Sequence, residues 1–224
     1  MRIAVLLTGF LRSYKQSAPT ILDQFKEHDF DIYCCTWDTQ ENGQPTLESD
    51  FDIYGDKLVK SLICSYKDYK NFHPNLVKIN RDNDVFDIDP RAKEHGEYWM
   101  NRLRDQWYIV LNAFNMIDYP SKYDIIVRLR FDLALDQMTF VVNDKLTIPV
   151  DISGVWDYTD HMAYGNPSVM TKYCSLFNWI PNLYMKHNID VTHAVKMPKY
   201  FMEEVELKKE TFIDKHISYR LTGK

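Results

Sequence analysis

The amino-acid sequence predicts a single α/β domain with a parallel βαβ unit at its start and enough residues for a three-layer core. The chain opens with the pattern strand, helix, strand, which is typical of a parallel βαβ unit. Its 224 residues suffice for one full core, and 45% apolar with 26% charged residues is an ordinary globular composition. No repeat or linker marks a boundary, so residues 1–224 are predicted to form one domain, which can equally be the N-terminal domain of a longer protein.

The opening βαβ unit follows from apolar patterning. Residues 3–7 form a continuous apolar run, which favours a strand buried on both faces. Ser17 and Pro19 resemble a helix start, and apolar residues follow at helical spacing. Residues 31–37 are a second predicted strand, and the polar stretch 38–56 is predicted to be a long mobile loop beside its carboxyl end.

The clearest amphipathic helix lies between residues 97 and 117. Its apolar residues recur every three or four positions and are Trp99, Leu103, Trp107, Val110, Phe114 and Ile117. A buried strand begins at residue 124 and continues into a charged segment. The remaining predicted elements are strands or helices at 58–63 and 76–79, a loop at 80–90, a strand at 145–150, an aromatic loop or edge at 154–166, and helices at 167–182 and 201–210.

Charge and cysteine usage narrow the function classes. A formal charge of −5 gives no general attraction to phosphate backbones or anionic membranes, so nucleic acid is not a predicted partner. The four cysteines lack the spacing of a zinc site and are predicted to be buried reduced thiols. Polar residues interrupt the apolar N-terminus too early for a signal peptide or transmembrane segment, which predicts a cytoplasmic protein, or a host-cytosolic one if viral.

The most informative segment is Arg128-Leu129-Arg130-Phe131-Asp132. Alternation along a strand places Arg128, Arg130 and Asp132 on one face, where unpaired charge would be costly to bury. One explanation is an internal ion pair that involves no substrate. The other is a ligand site, because the carboxyl ends of strands in an open α/β sheet face the crevice where ligands bind. There an aspartate can hold a divalent cation and arginines can bind phosphate oxygens.

The first two strands end in residues that suit the same crevice. Thr8-Gly9-Phe10-Leu11-Arg12 combines a glycine that permits close backbone approach with an arginine that suits phosphate, or is an ordinary turn with a solvated arginine. Thr36-Trp37-Asp38 could stack a base and hydrogen-bond a ribose, or contain a core tryptophan before a turn. The alternatives stay open in both segments.

Two further carboxylates are candidate general bases. Asp157 and Asp160 lie in an aromatic stretch, where they could deprotonate a sugar hydroxyl while neighbouring rings stack on sugar faces. The alternative is a structural turn aspartate, which is the favoured explanation for Asp157 and the disfavoured one for Asp160.

Residues 3–12, 31–38 and 123–133 together resemble a group of viral and bacterial surface-glycan glycosyltransferases, which includes the N-terminal transferase domain of a large chlorella-virus glycosylation protein. The resemblance covers residues 1–175 approximately. It implies a GT-A fold, which is a Rossmann-like three-layer αβα sandwich with a mixed, mostly parallel central sheet. It also implies an enzyme that binds a nucleoside-diphosphate sugar, with UDP favoured, and transfers the sugar to an oligosaccharide or glycoprotein glycan.

The resemblance also implies roles for individual residues. Thr8, Gly9 and Arg12 would border the nucleotide, Asp160 would lie near the acceptor, and Asp132 would take the last place of the acidic metal-binding motif. Such enzymes usually carry Asp-any-Asp, whereas this chain has Arg130-Phe131-Asp132 and so exchanges one carboxylate for a cation. We still expect Mn²⁺ or Mg²⁺ at Asp132, alone or through water, with Arg130 neutralising diphosphate charge.

Residues and resemblance together therefore predict a metal-dependent glycosyltransferase. An inverting mechanism is predicted because direct displacement needs only one base, and no candidate nucleophile for a double displacement is identified. A sugar nucleotidyltransferase would usually show a glycine-rich loop followed by lysine after the first strand, which this chain lacks. A non-catalytic glycan- or partner-binding module, using its aromatic residues (14% of the chain) as stacking platforms, is the alternative from another class.

Overall fold

The structure is a computed structural model that describes residues 1–40, 42–73, 90–136, 138–150, 161–187, 196–213 and 217–218. Its strands are β1 Arg2–Thr8, β2 Asp29–Trp37, β3 Leu58–Cys64, β4 Ile125–Arg130, β5 Ala134–Leu135, β6 Leu146–Val150, β7 Met162–Gly165, β8 Lys209–Ile213 and β9 Ile217–Ser218. Its α-helices are α1 Tyr14–Phe25, α2 Tyr66–Phe72, α3 Pro90–Asn115, α4 Pro167–Cys174, α5 Leu176–His187 and α6 Lys196–Glu204. Two 3₁₀ segments span Glu48–Lys57 and Pro120–Lys122.

Seven strands form the main sheet in the order β3-β2-β1-β4-β7-β6-β8. The pairings from β3 to β4 and the pairing of β6 with β8 are parallel, whereas β7 runs antiparallel to both of its neighbours. The short strands β5 and β9 pair separately. The predicted α/β class with a mixed, mostly parallel sheet is confirmed.

Helices cover both faces of this sheet because its central strands are apolar on both sides. On β1, Ile3, Val5 and Leu7 pack in the cluster that includes α1, and the intervening Ala4 and Leu6 pack in the cluster that includes α3. Residues on alternate positions of a strand point to opposite faces, so one strand contributes to two cores. The result is the predicted three-layer sandwich. Within the described part of the chain, no helix has the length and apolar character needed to cross a membrane.

Several predicted boundaries need correction. α1 begins at Tyr14, earlier than Ser17, and contains Pro19 inside its first two turns. The region predicted as a mobile loop holds the 3₁₀ segment Glu48–Lys57, in which Phe51 and Tyr54 are buried. The helix predicted at 97–117 begins already at Pro90.

The C-terminal third differs most from the prediction. The stretch expected to be loop or edge contains β7, which lies inside the sheet between β4 and β6. The helix predicted at 167–182 is two helices, α4 and α5, separated at Ser175. The helix predicted at 201–210 ends at Glu204 and is followed by β8. Positions 76–79 and 80–89 lie outside the described residues.

The topology changes direction beside β1. The chain leaves β1 through α1 and returns as β2 on one side, while β4 pairs with the other side of β1. In open α/β sheets such a switch point leaves a crevice at the carboxyl ends of the two strands, where ligands bind. A ligand site is therefore expected at the carboxyl ends of β1 and β4.

Candidate active site

The strand register brings the predicted site segments to one edge of the sheet. Thr8, the last residue of β1, pairs with Arg130 at the end of β4 and with Cys35 near the end of β2. The segments after these three strands therefore begin side by side. The structure thus brings together Thr8, Gly9, Arg12, Arg130 and Asp132, as the sequence predicts.

Asp132 is the centre of this edge. Arg130 donates from Nε to Oδ1 at 2.9 Å and from Nη2 to Oδ2 at 2.6 Å, and Arg12 donates from Nη1 to Oδ2 at 2.9 Å. The Asp132 side chain is only 4% exposed, whereas those of Arg130 and Arg12 are 16% and 23% exposed. The ion pair offered as the alternative explanation is therefore present, but its guanidinium groups remain partly open to solvent.

The electrostatics of the cluster favour an ionised carboxylate. Burial raises the pKa of Asp132, but the hydrogen bonds and charges of Arg130 and Arg12 outweigh it and lower that pKa to about 2. Among the described side chains of this cluster, two guanidinium groups face one carboxylate, a combination that favours an anionic ligand.

The loop between β1 and α1 has an unusual backbone. Gly9 has a φ of 105°, and a Cβ built there would meet no atom within 4 Å, so the backbone is open on that side. Arg12 has a φ of 34°, which non-glycine residues rarely adopt. Such a conformation persists only when surrounding contacts hold it, and here the side chain is fixed on Asp132. The loop thus exposes backbone next to the arginine cluster.

Arg128 lies deeper than predicted. Its side chain is fully buried, and its Nε donates to Thr8 Oγ1 at 3.0 Å. Burial raises the pKa of the Cys174 thiol, and the positive charge of Arg128 opposes part of this rise, so Arg128 lies near α4. Its hydrogen bond to Thr8 links the last residue of β1 to β4, and direct contact of Arg128 with a ligand stays a prediction.

At the end of β2, Trp37 belongs to the hydrophobic core, whereas Asp38 is only half-buried. Trp37 is 2% exposed and stacks on Tyr108, with ring centroids 5.7 Å apart, while Tyr66 and Tyr69 pack around it. The core-tryptophan alternative is thus the one that the structure supports. Asp38 is half-buried and accepts a hydrogen bond from the backbone N–H of Tyr66 at 3.2 Å.

Thr36 differs from its neighbour Trp37. It is buried, and by alternation its side chain faces α1, as Cys34 does. Its hydroxyl has no hydrogen-bond partner among the residues that the structure describes. Buried polar groups are normally paired, so this hydroxyl is an exception at the end of β2.

Two contacts that support the site were not predicted. The Ser17 hydroxyl on α1 donates to the Phe131 carbonyl, which fixes the residue before Asp132. The Tyr14 hydroxyl donates to Asp50 at 2.8 Å and ties α1 to the 3₁₀ segment. The signal for Ser17 was its position on the apolar side of α1, where a buried hydroxyl needs an acceptor.

A divalent cation fits poorly at Asp132 as it stands. Both carboxylate oxygens already accept hydrogen bonds from guanidinium groups. The described ranges also contain no cluster of three or more histidine, cysteine, aspartate or glutamate side chains suited to a metal ion. The expected Mn²⁺ or Mg²⁺ stays a prediction. Asp157 and Asp160 lie outside the described residues. All four cysteines are buried free thiols, as predicted.

Two solved structures are similar to this chain. The apo form of the glycosyltransferase GlyE from Streptococcus pneumoniae TIGR4 matches with a TM-score of 0.47 and 11% identity over 95% of this chain and 45% of its own. A glycosyltransferase involved in the glycosylation of the major capsid of PBCV-1 matches with a TM-score of 0.48 and 8% identity over 96% of this chain and 83% of its own. This chain therefore spans less than half of the GlyE structure.

Comparison of the sequence with protein-family profiles gives no match, and neither does comparison with curated protein sequences. Identities of 11% and 8% do not transfer an activity from the two solved structures to this chain.

Proposed function

We propose that this protein is a glycosyltransferase that moves a sugar from a nucleoside-diphosphate donor to a hydroxyl of a glycan. One observation carries the proposal: Arg12 and Arg130 converge on Asp132 at the switch point between β1 and β4. The carboxyl ends of strands at a switch point form the usual ligand crevice of an open α/β sheet, and two arginine side chains there suit an anionic ligand.

The arginine pair matches the needs of a departing diphosphate. When the bond between the sugar and the diphosphate breaks, negative charge develops on the phosphate oxygens. Guanidinium groups that are already held in place stabilise such charge without first having to reorganise. Arg130 is only partly exposed, so its interaction with phosphate is less screened by water than that of a surface arginine.

The end of β2 supplies candidate contacts for the nucleoside. The unpaired Thr36 hydroxyl can hydrogen-bond a ribose or a base, and the open backbone at Gly9 permits close approach of a flat group. Asp38 is the third candidate, although its carboxylate already accepts a backbone hydrogen bond. We favour uridine as the base, which is what the sequence resemblance implies.

The acceptor hydroxyl must lose a proton as the new glycosidic bond forms. Asp160 is the proposed general base, with Asp157 as the alternative. One base suffices for direct displacement, which inverts the configuration at the anomeric carbon, whereas double displacement also needs a nucleophile. We therefore propose inversion.

A donor screen tests this function. The full chain is incubated with UDP-, GDP- and TDP-sugars, and release of the nucleoside diphosphate is measured with and without Mn²⁺. Hydrolysis of one donor class, lost in Arg130→Ala but kept in the matched control Arg2→Ala at the opposite end of β1, supports the proposal.

Other outcomes favour other classes. Binding of none of the three nucleoside diphosphates would contradict the proposal and favour a non-catalytic glycan- or partner-binding module. Release of pyrophosphate from a nucleoside triphosphate and a sugar 1-phosphate would instead identify a sugar nucleotidyltransferase.

A further inference from the structure

We infer that Asp132 is a positioning residue for Arg12 and Arg130, and that the diphosphate subsite formed by these two arginines binds its ligand without a divalent cation. The inference rests on the proposed function and deepens it, because it states which groups carry the diphosphate charge. It departs from the role of metal ligand that the sequence resemblance implies for Asp132.

The hydrogen-bond pattern of the carboxylate is the first reason. Oδ1 accepts from Arg130 Nε, and Oδ2 accepts from both Arg130 Nη2 and Arg12 Nη1. With its side chain 4% exposed, Asp132 would have to release a guanidinium group before it could bind a cation directly. That exchange would leave the released arginine beside a like charge in a partly buried site, which is unfavourable.

The charge balance is the second reason. Among the described side chains, two guanidinium groups surround the one carboxylate, a combination that disfavours a divalent cation and favours a diphosphate. In this cluster the arginines already supply the charge that a metal ion supplies in sites built from two carboxylates. Arginine also forms paired hydrogen bonds with phosphate oxygens, which gives the ligand a fixed orientation.

The backbone is the third reason. Arg12 adopts a φ of 34°, which costs free energy unless the surrounding contacts compensate for it. Its bond to Asp132 supplies such a contact, and the Ser17 hydroxyl holds the preceding Phe131 carbonyl. The turn after β4 and the loop after β1 are therefore locked to each other through one carboxylate. Asp132 acts on a ligand through the two arginines that it orients.

Calorimetric titration of the full chain with UDP, GDP and TDP, in EDTA and separately in Mn²⁺, tests the inference. We expect the dissociation constant of the preferred nucleotide to agree within about twofold in the two conditions. Arg12→Lys and Arg130→Lys should each weaken binding about tenfold in both conditions, because lysine cannot form the paired contacts. Arg2→Lys, at the opposite edge of the sheet, should change nothing.

A double-mutant cycle tests the positioning role. Asp132→Asn should weaken nucleotide binding. The double variant Asp132→Asn with Arg12→Lys should lose no more affinity than the single variant that binds the nucleotide more weakly, because both changes disturb the same contact. Additive losses would show that Asp132 does not act through Arg12. If Asp132→Asn does not fold by circular dichroism, the metal comparison and the arginine variants still decide the inference.

The outcomes separate the inference from the proposed function. Nucleotide binding that appears in Mn²⁺ and is at least tenfold weaker in EDTA overturns the metal-independent subsite while supporting the transferase. Binding of no nucleotide in either condition overturns both. Equal binding in both conditions, lost in the two arginine variants, supports both.

Discussion

Arg130 and Asp132 are two residues apart in the chain, yet the guanidinium group of the first binds both oxygens of the second, at 2.9 and 2.6 Å. This contact is possible because both side chains leave the same face where β4 ends. Together the two side chains form an ion-paired unit at the end of β4, which fixes the orientation of the Arg130 guanidinium group. Arg12, which is 120 positions earlier in the sequence, completes the unit through Oδ2.

Asp132 should stabilise the fold in a pH-dependent way. Its pKa of about 2 lies below the usual value of 3.8. The ionised carboxylate therefore contributes fully to the free energy of unfolding above about pH 4, and this contribution is lost as the pH falls through about 2. A shift of roughly two units corresponds to about 2.5 kcal/mol. We expect Asp132→Asn to lower the free energy of unfolding by about this amount at pH 7 and by clearly less at pH 2.5. Urea unfolding at both values measures the difference. Asp136→Asn, which changes an exposed aspartate outside the ion-paired unit, is the control.

Thr36→Val should have opposite effects on binding and on stability. The hydroxyl is buried without a partner in the described parts of the chain, so an isosteric methyl group should leave the free energy of unfolding unchanged or raise it. The same change should weaken UDP binding by roughly fivefold or more if the hydroxyl contacts the nucleoside. Unchanged affinity would remove Thr36 from the site. Thr147→Val, a buried threonine on β6, is the matched control and should not alter the affinity.

Trp37→Phe should affect stability and not nucleotide binding. Its ring packs between Tyr66, Tyr69 and Tyr108, so the smaller ring leaves a cavity and should cost about 1–3 kcal/mol. The dissociation constant for UDP should stay within about twofold. Thermal denaturation and calorimetry measure the two effects. A stable variant with strongly weakened UDP binding would instead support base stacking on Trp37. Trp179→Phe, at a half-buried position, should cost less.

Ser17→Ala should loosen the turn after β4. The hydroxyl binds the buried Phe131 carbonyl, and leaving that acceptor unpaired should cost about 1–2 kcal/mol of unfolding free energy. Because Phe131 precedes Asp132, UDP affinity should fall by a few fold as well. Ser13→Ala is the control: the Ser13 side chain makes no capping hydrogen bond, and its loss should stay within about 0.5 kcal/mol. Equal losses in the two variants would show that the Phe131 contact contributes nothing.

The N-terminal half of the fold was predictable because its signals are local. The apolar run of residues 3–7 predicts that β1 is a strand. The alternation of charged and apolar residues at positions 128–132 predicts that Arg128 and Arg130 lie on one face of β4. The rule that ligands bind at the carboxyl ends of strands then placed Arg12 near Asp132, although the register between β1 and β4 depends on contacts more than a hundred residues apart.

Other features depend on tertiary contacts that no local pattern encodes. Trp37 lies in the core because α2 and α3 bring Tyr69 and Tyr108 to it, and its own neighbours in the sequence gave no preference. β7 is short and follows an aromatic stretch, so it resembled an edge, but its pairing with β4 makes it central. The occupation of both Asp132 oxygens was likewise not predictable, since it requires the loop after β1 to fold back onto the turn after β4.

The small sheet formed by β5 and β9 has a consequence for biosynthesis. β5 begins two positions after Asp132, and its partner is Ile217–Ser218, near the end of the chain. On the ribosome, the N-terminal βαβ unit can assemble early, but the segment that follows the arginine-bound carboxylate lacks its strand partner until residue 218 emerges. A nascent chain that is stalled before this point therefore carries an incompletely braced site.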